Sequence, residues 1–374
     1  MWMIVFLLLP LLGLAYCGWH VWTLVPLPKL WRSLVVIAGG FSFLLIFLNL
    51  SRTIDRLPMW LARLCYDVGN SSVFVLMYLV MVFLVLDLAR LLRIVPSAWL
   101  QQNFYTTVVI TVAMFAVFLL GNIRYTRKVR VEQTVTTAKQ LRRALRLVML
   151  SDLHLGYHNP RKELARWVDI VNAEKPDVVL IAGDIIDMSI RPLVEERMYE
   201  EFRRLAAPVY ACLGNHEYYT GEPLAQQFYR DAGINLLRDS SAVVGDLLII
   251  GRDDRSNMHR KKLSEIMEEV SYPSPLASHP SPLASRFSIL LDHQPYDLEQ
   301  AELAGLDFQF SGHTHRGQVW PVSWITDRIY ECSFGPWQRG NTRYYVSSGI
   351  GIWGGKFRIG TQSEYVVMTI NNRQ

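Results

Sequence analysis

The first 123 residues of this 374-residue chain hold only ten Asp, Glu, Lys and Arg side chains, whereas the remaining 251 hold 61. One water-soluble core does not accommodate that asymmetry, so two parts with different solvents are expected. Four stretches of the first part lack charge over nearly the length a bilayer demands, about 20 apolar residues. They cover 1–21, 34–50, 68–86 and 94–123, the last with its apolar centre at 106–120. Pro10 in the first stretch is tolerable where neighbouring helices cover the freed carbonyl. That stretch has neither the basic start nor the small-residue cleavage site of a secretory leader, and Tyr16 before Cys17 does not suit lipoprotein cleavage. A retained helix is therefore expected. The reading is a transmembrane four-helix anchor over 1–123 and a soluble domain over 124–374.

Orientation follows the Lys and Arg beside the helix ends. Four crossings put Arg52, Arg56, Arg63, Arg124, Arg127, Lys128 and Arg130 on the side of the soluble domain, against Lys29, Arg32, Arg90 and Arg93 opposite. That bias favours a multi-pass protein of the inner (cell) membrane with a cytoplasmic soluble domain. Cys17, Cys65, Cys212 and Cys332 show no paired spacing, and buried reduced thiols are expected. The net charge of +5 gathers at the membrane junction. It reads as topological, and no nucleic-acid partner is expected. The same basic run, Arg124–Arg130, is placed to meet the head groups of membrane lipids.

Beyond Arg124 the periodicity changes. Alternation over 129–135 predicts a strand, and apolar runs at 145–150, 178–182, 208–213, 247–250, 287–291, 307–311, 343–347 and 365–370 predict more. Helices are expected over 160–174, with Asn159 as cap, near 194–205 and over 258–270. Strands alternating with helices and then a strand-rich half give a layered α/β sandwich. A tandem hexapeptide, Pro-Ser-Pro-Leu-Ala-Ser at 273–278 and again at 280–285, predicts an extended surface loop. It is either a lid over the site or an inert insertion.

Five short polar clusters each follow an apolar run: Asp152-Leu-His154, Gly183-Asp184-Ile-Ile-Asp187, Gly214-Asn215-His216-Glu217, Asp292-His293-Gln-Pro295 and Gly312-His313-Thr-His315. They hold five of the nine histidines. In α/β sheets, ligands collect beyond the carboxyl ends of strands, where all five clusters fall. Carboxylates, imidazoles and one amide together suit two close divalent ions.

The ordered pattern D-x-H, G-D-x-x-D, G-N-H-E, H-x-P and G-H-x-H resembles the calcineurin-like metallophosphoesterase superfamily over about 145–371. Ser151–Gly156, Gly312–His315 with Gly317-Gln318, Gly349–Gly351 and Arg358–Gly360 are similar to its bacterial membrane-associated phosphodiesterase branch. The resemblance implies an α/β/β/α sandwich and a metal-dependent phosphoric ester hydrolase. It implies one ion on Asp152, His154, Asp184 and His315, and a second on Asp184, Asn215, His293 and His313, with Mn²⁺ favoured and Fe, Zn or Mg as alternatives. Catalytic His216 would face substrate, with Asp187 and Glu217 fixing ligand tautomers. A surface position is expected for His158.

One departure is Arg316, where the branch has glycine; it either binds a second substrate phosphate or carboxylate or merely solvates its loop. Trp320, Trp324, Trp337 and Trp353, with Phe334 and Tyr344, are expected to form an apolar wall near the site. Some relatives cleave UDP-2,3-diacylglucosamine, so a phosphorylated, lipid-linked substrate with a phosphodiester or pyrophosphate bond is the leading expectation. Alternatives are a general phosphodiesterase or phosphatase for nucleotides or phospholipid head groups, or a non-catalytic metal-dependent docking module. A transporter fits poorly, because Asp87 is the main charge within the apolar stretches and ion paths need more.

Overall fold

The computed structural model describes residues 2–271 and 285–373, so all of the tandem hexapeptide except Ser285 lies outside the described residues. Two compact units form: Met1–Asn122 with Gly354–Lys356, and Ile123–Trp353 with Phe357–Gln374.

Among the described residues of the first unit, three helices are long and apolar enough to cross a membrane: Lys29–Leu50, Met59–Leu91 and Phe104–Thr126. The first predicted stretch is also helical, Trp2–Leu24, but its described apolar part, Leu8–Leu24, is shorter than a span. Three such helices are therefore seen among the described residues, and the expected fourth crossing falls on the helix Trp2–Leu24. The helix Met59–Leu91 has 33 residues, about 50 Å at 1.5 Å per residue, against a hydrocarbon core of roughly 30 Å. Its excess accommodates Arg63 and Asp67, which the expected span 68–86 left out. The stretch 94–123 starts as a helix only at Phe104, because Pro96 opens a short turn before it.

The second unit is two facing six-stranded sheets. Its strands are β1 (Lys128–Thr137), β2 (Leu145–Leu150), β3 (Val178–Ala182), β4 (Val209–Cys212), β5 (Asn235–Leu236), β6 (Ser240–Val244), β7 (Leu247–Gly251), β8 (Phe287–Leu291), β9 (Phe308–Ser311), β10 (Gly335–Arg339), β11 (Thr342–Val346) and β12 (Ser363–Asn372). One sheet runs β1-β12-β2-β3-β4-β5 and the other β10-β11-β9-β8-β7-β6. β2 to β5 are mutually parallel, as are β7, β8, β9 and β11. Each set therefore directs its carboxyl ends one way.

Alternation along each strand separates the layers, since successive side chains point to opposite faces. Leu147, Met149, Leu180 and Ala182 meet Ile249, Ile289, Leu291 and Phe310 in a core between the sheets. Val148, Leu150, Val179 and Ile181 point the other way, onto the helices Arg161–Ala173 and Glu222–Ala232. Leu248, Ile250 and Leu290 likewise pack on Leu263–Ser271 and Glu299–Leu303. The order of layers is helices, sheet, sheet, helices.

Several local expectations are corrected. Pro160, not Asn159, caps the helix Arg161–Ala173. Asn159 is buried and donates to the carbonyls of Leu153 and His154 instead. The helix near 194–205 is two short turns, Arg191–Glu195 and Tyr199–Phe202. The helix expected from 258 starts only at Leu263. The short strands β5, β6 and β10 were not expected. All four cysteines are free and buried.

Leu147 is fully buried between the sheets. Leu147→Ala should cost about 2–5 kcal/mol through lost burial plus the residual cavity. Thermal unfolding of the full chain in detergent checks this, and an unchanged midpoint would contradict the assignment of the core.

Candidate metal centre

The ends of β2, β3 and β4 in one sheet and of β8 and β9 in the other deliver all the predicted ligands to one place. Asp152 and His154 follow β2, Asp184 follows β3, Asn215 and His216 follow β4, His293 follows β8, and His313 and His315 follow β9. Two glycines permit the close approach. A Cβ on Gly312 would lie 2.3 Å from Asp152 Oδ2, and one on Gly214 would lie 2.2 Å from Asp184 Oδ1. No real side chain fits there.

Backbone strain is concentrated in the same loops. Asp152, His154, Asp184, His313 and His315 have φ of 54°, 45°, 52°, 70° and 48°. L-residues adopt this left-handed region reluctantly, at on the order of 1–3 kcal/mol each, and such outliers cluster at functional sites. Hydrogen bonds hold them in place. The His313 N–H donates to Asp152 Oδ1 at 2.9 Å, and the His216 N–H donates to Asp184 Oδ1 at 2.9 Å.

The ligand atoms fall into two overlapping groups. In one, His154 Nε2 lies 3.0 Å from His315 Nε2 and 3.6 Å from Asp184 Oδ2, and His315 Nε2 lies 3.4 Å from Asp152 Oδ1. In the other, His293 Nε2 lies 3.1 Å from Asp184 Oδ2 and 3.2 Å from Asn215 Oδ1, which is 2.9 Å from His313 Nδ1. Adjacent ligands around an ion with bonds near 2.1 Å sit roughly 3 Å apart, so these edges suit divalent cations. Asp152 Oδ2 is buried and has no hydrogen-bond donor among the described residues. An anionic oxygen left so is costly unless a cation meets it. The donor set therefore fits the pair of ions. Asp184 Oδ2 belongs to both groups.

Neighbouring groups fix which ring nitrogen faces inward. His293 Nδ1 donates to the Ala182 carbonyl at 2.8 Å, which leaves Nε2 for the centre. His154 Nδ1 lies 3.3 Å from Asp187 Oδ1. His216 Nδ1 donates to the Asp187 carbonyl at 3.0 Å and lies 3.4 Å from its carboxylate. The Asp187 carboxylate thus lies against two imidazoles. Glu217 does something else: its carboxylate accepts from the backbone N–H groups of Asp184, Ile186 and Gly214 and braces the loops.

Burial raises the Asp152 carboxyl above its ordinary range, and the Asp184 charge adds to this. Burial also pushes His313 down to about 4. Burial opposes the charge on His216 too, but the Asp184 charge and the Asp187 carboxylate raise it to about 9. Cations among these groups would reverse much of this balance.

Arg358 was noticed in sequence only as part of a motif, without a role. It is fully buried and donates to the carbonyls of His315 at 2.9 Å and Gly351 at 2.9 Å, which ties the final segment to the strained His315 turn. His158, expected at the surface, is buried, with Nε2 on the Ile352 carbonyl. Arg316 lies with its guanidinium 4.6 Å from the centroid of the Phe334 ring. The expected aromatic wall divides. Trp337 packs at a tilt against Tyr344 in the outer core of the second sheet, while Trp320 and Trp324 pair edge-on at 5.4 Å and stay exposed.

A family model of calcineurin-like phosphoesterases matches residues 145–317. A transmembrane protein with metallophosphoesterase domain from Danio rerio is 30% identical over 376 residues, covering 93% of this chain and 82% of the relative. A metallophosphoesterase from Campylobacter jejuni is 30% identical over 237 residues, 63% of this chain, and the match spans 61% of that relative's length. One from Aquifex aeolicus is 28% identical over 270 residues, covering 70% of this chain and 99% of the relative. The chain belongs to the calcineurin-like metallophosphoesterase family. These are metal-dependent phosphoester hydrolases with a dinuclear divalent centre.

Arg358→Gln should weaken retention of metal about 10–100-fold, as loss of an orienting partner does. Metal analysis after dialysis against graded chelator measures this, and wild-type retention would contradict the bracing role.

Proposed function

We propose that this chain is a membrane-anchored phosphoesterase that hydrolyses a phosphodiester or pyrophosphate bond in a lipid-linked substrate, with UDP-2,3-diacylglucosamine as the leading candidate. The observation that carries the reading is the shared carboxylate: Asp184 Oδ2 lies 3.6 Å from His154 Nε2 and 3.1 Å from His293 Nε2. Asp152, His154, Asp184 and His315 would hold one ion and Asp184, Asn215, His293 and His313 the other, with Mn²⁺ as the favoured metal. Ions bound there would supply Lewis-acid polarisation of a phosphoryl oxygen and would lower the pKa of a coordinated water.

The protein's own groups do the rest. Asn215 contributes a neutral oxygen, which limits negative charge where an anionic phosphate must enter. His216, anchored through Nδ1, offers its other ring nitrogen as proton donor to the leaving oxygen. Its raised affinity for a proton suits that task. Arg316 extends its planar fork to a further phosphate or carboxylate of the substrate.

A lipid-linked substrate is supported by apolar exposure beside the last metal loop. Trp324, Ile325 and Ile329 of the helix Val322–Ile329 are 63%, 57% and 57% exposed, and Trp320 before it is 38% exposed. Amphipathic aromatics of this kind suit a lipid interface. Four crossings and a cytoplasmic catalytic domain complete the proposal, on the charge bias already described.

His216→Ala should lower kcat by about 10²–10⁴-fold, the usual worth of a positioned proton donor, while two ions per chain are retained. Turnover of an artificial diester and of UDP-2,3-diacylglucosamine, measured beside metal content, tests both points. Undiminished turnover would remove the catalytic role, and turnover of the artificial diester alone would remove the lipid-linked substrate.

A further inference from the structure

The membrane unit holds a cavity of about 320 Å³ that the phosphoesterase reading does not use. It is lined by Trp19, His20, Trp22, Arg32, Arg90 and Gln101, among others. It lies where the helix Trp2–Leu24 ends and the helix Phe104–Thr126 begins: the N–H groups of Gln102 and Asn103 donate to the carbonyls of Thr23 and Leu24, both at 2.9 Å. The chain leaves for β1 from the other end of that last helix, beyond Thr126.

The charges in this cavity do not balance. Residues 1–123 contain three acids, Asp55, Asp67 and Asp87. Asp87 is already shared. Its Oδ2 accepts from the Tyr16 hydroxyl at 2.6 Å and lies 2.9 Å from His20 Nε2. Its Oδ1 pairs with Arg90 at 3.3 Å. Arg32 is 8% exposed, yet it enters no ion pair among the described residues. It donates to the Trp22 carbonyl at 3.0 Å and lies over the Trp22 ring at 5.0 Å. Its Nε has no hydrogen-bond partner among the described residues. A buried guanidinium without a counter-charge is costly, and its fork of N–H groups matches phosphate oxygens.

We propose that this cavity binds the phosphate of an anionic lipid head group, with Arg32 as the principal contact and Arg90 as the second cation. The surroundings favour a lipid over free phosphate. Trp19, Leu27, Leu30 and Trp31 at the same end are 52%, 42%, 67% and 57% exposed, an aromatic and apolar rim suited to the bilayer interface. Basic pockets between membrane helices take lipid head groups in this way. The site is separate from the metal centre and does not depend on the catalytic reading.

The test uses the full chain purified in detergent and titrated with phosphatidylglycerol or phosphatidylcholine, with retained lipid counted by native mass spectrometry. Wild type should keep phosphatidylglycerol selectively, and Arg32→Gln should bind it at least roughly tenfold more weakly, the scale of one charge-assisted contact. Arg32→Lys, which keeps the charge but loses the fork, should fall between, and Lys29→Gln should match wild type. Because Arg32→Gln can impair folding, wild-type melting is followed as well: phosphatidylglycerol should raise the midpoint above that in phosphatidylcholine. Equal retention of the two lipids, or equal losses in Arg32→Gln and Lys29→Gln, would overturn the proposal. Displacement of bound phosphatidylglycerol by excess inorganic phosphate would overturn the lipid as source.

Discussion

One carboxylate oxygen joins the two halves of the catalytic domain. Asp184 leaves the first sheet after β3 and faces His154, from the same sheet, and His293, from the other. The two sheets bury a common apolar core, but nothing in that core requires their loops to meet at a point. The requirement comes from charge. Asp152 and Asp184 are buried within hydrogen-bonding distance of imidazoles, and such a group is stable only when positive charge compensates it. Binding of metal there would couple to folding, as in other sites assembled from distant segments.

The left-handed turns show how the backbone meets that requirement. Five of the converging residues take a conformation that side chains resist, and hydrogen bonds between neighbouring loops tie Asp152 to His313 and Asp184 to His216. Glu217 pins the Asp184 and Gly214 backbones together, and Arg358 fastens the His315 turn to the segment that precedes β12. Both are charged residues buried in the service of backbone geometry. Their loss would be felt as loose ligands rather than missing ones.

The residues that meet at the site were legible in the sequence because each sits immediately after an apolar run, and strand ends are where parallel sheets expose loops. The main strands were legible for the same reason. Short or polar strands were not: β6 alternates weakly, and β10 contains a proline and two charged or amide side chains in five residues. Asn159 looked like a helix cap because its side chain suits one, but tertiary contacts claimed it for the carbonyls of Leu153 and His154. Arg358 and Glu217 could be named but not understood, since their partners lie in loops far away along the chain. Hydropathy found the membrane helices but misjudged their ends. Charged and polar residues such as Arg63 and Asp67 continue a helix past the apolar boundary, and Pro96 delays the start of the last one.

The most direct measurement is electron paramagnetic resonance of the full chain loaded with Mn²⁺. Two ions linked through Asp184 should give the spectrum of an exchange-coupled pair at saturation. Isolated, uncoupled Mn²⁺ signals at full loading would contradict the shared carboxylate and the site built around it.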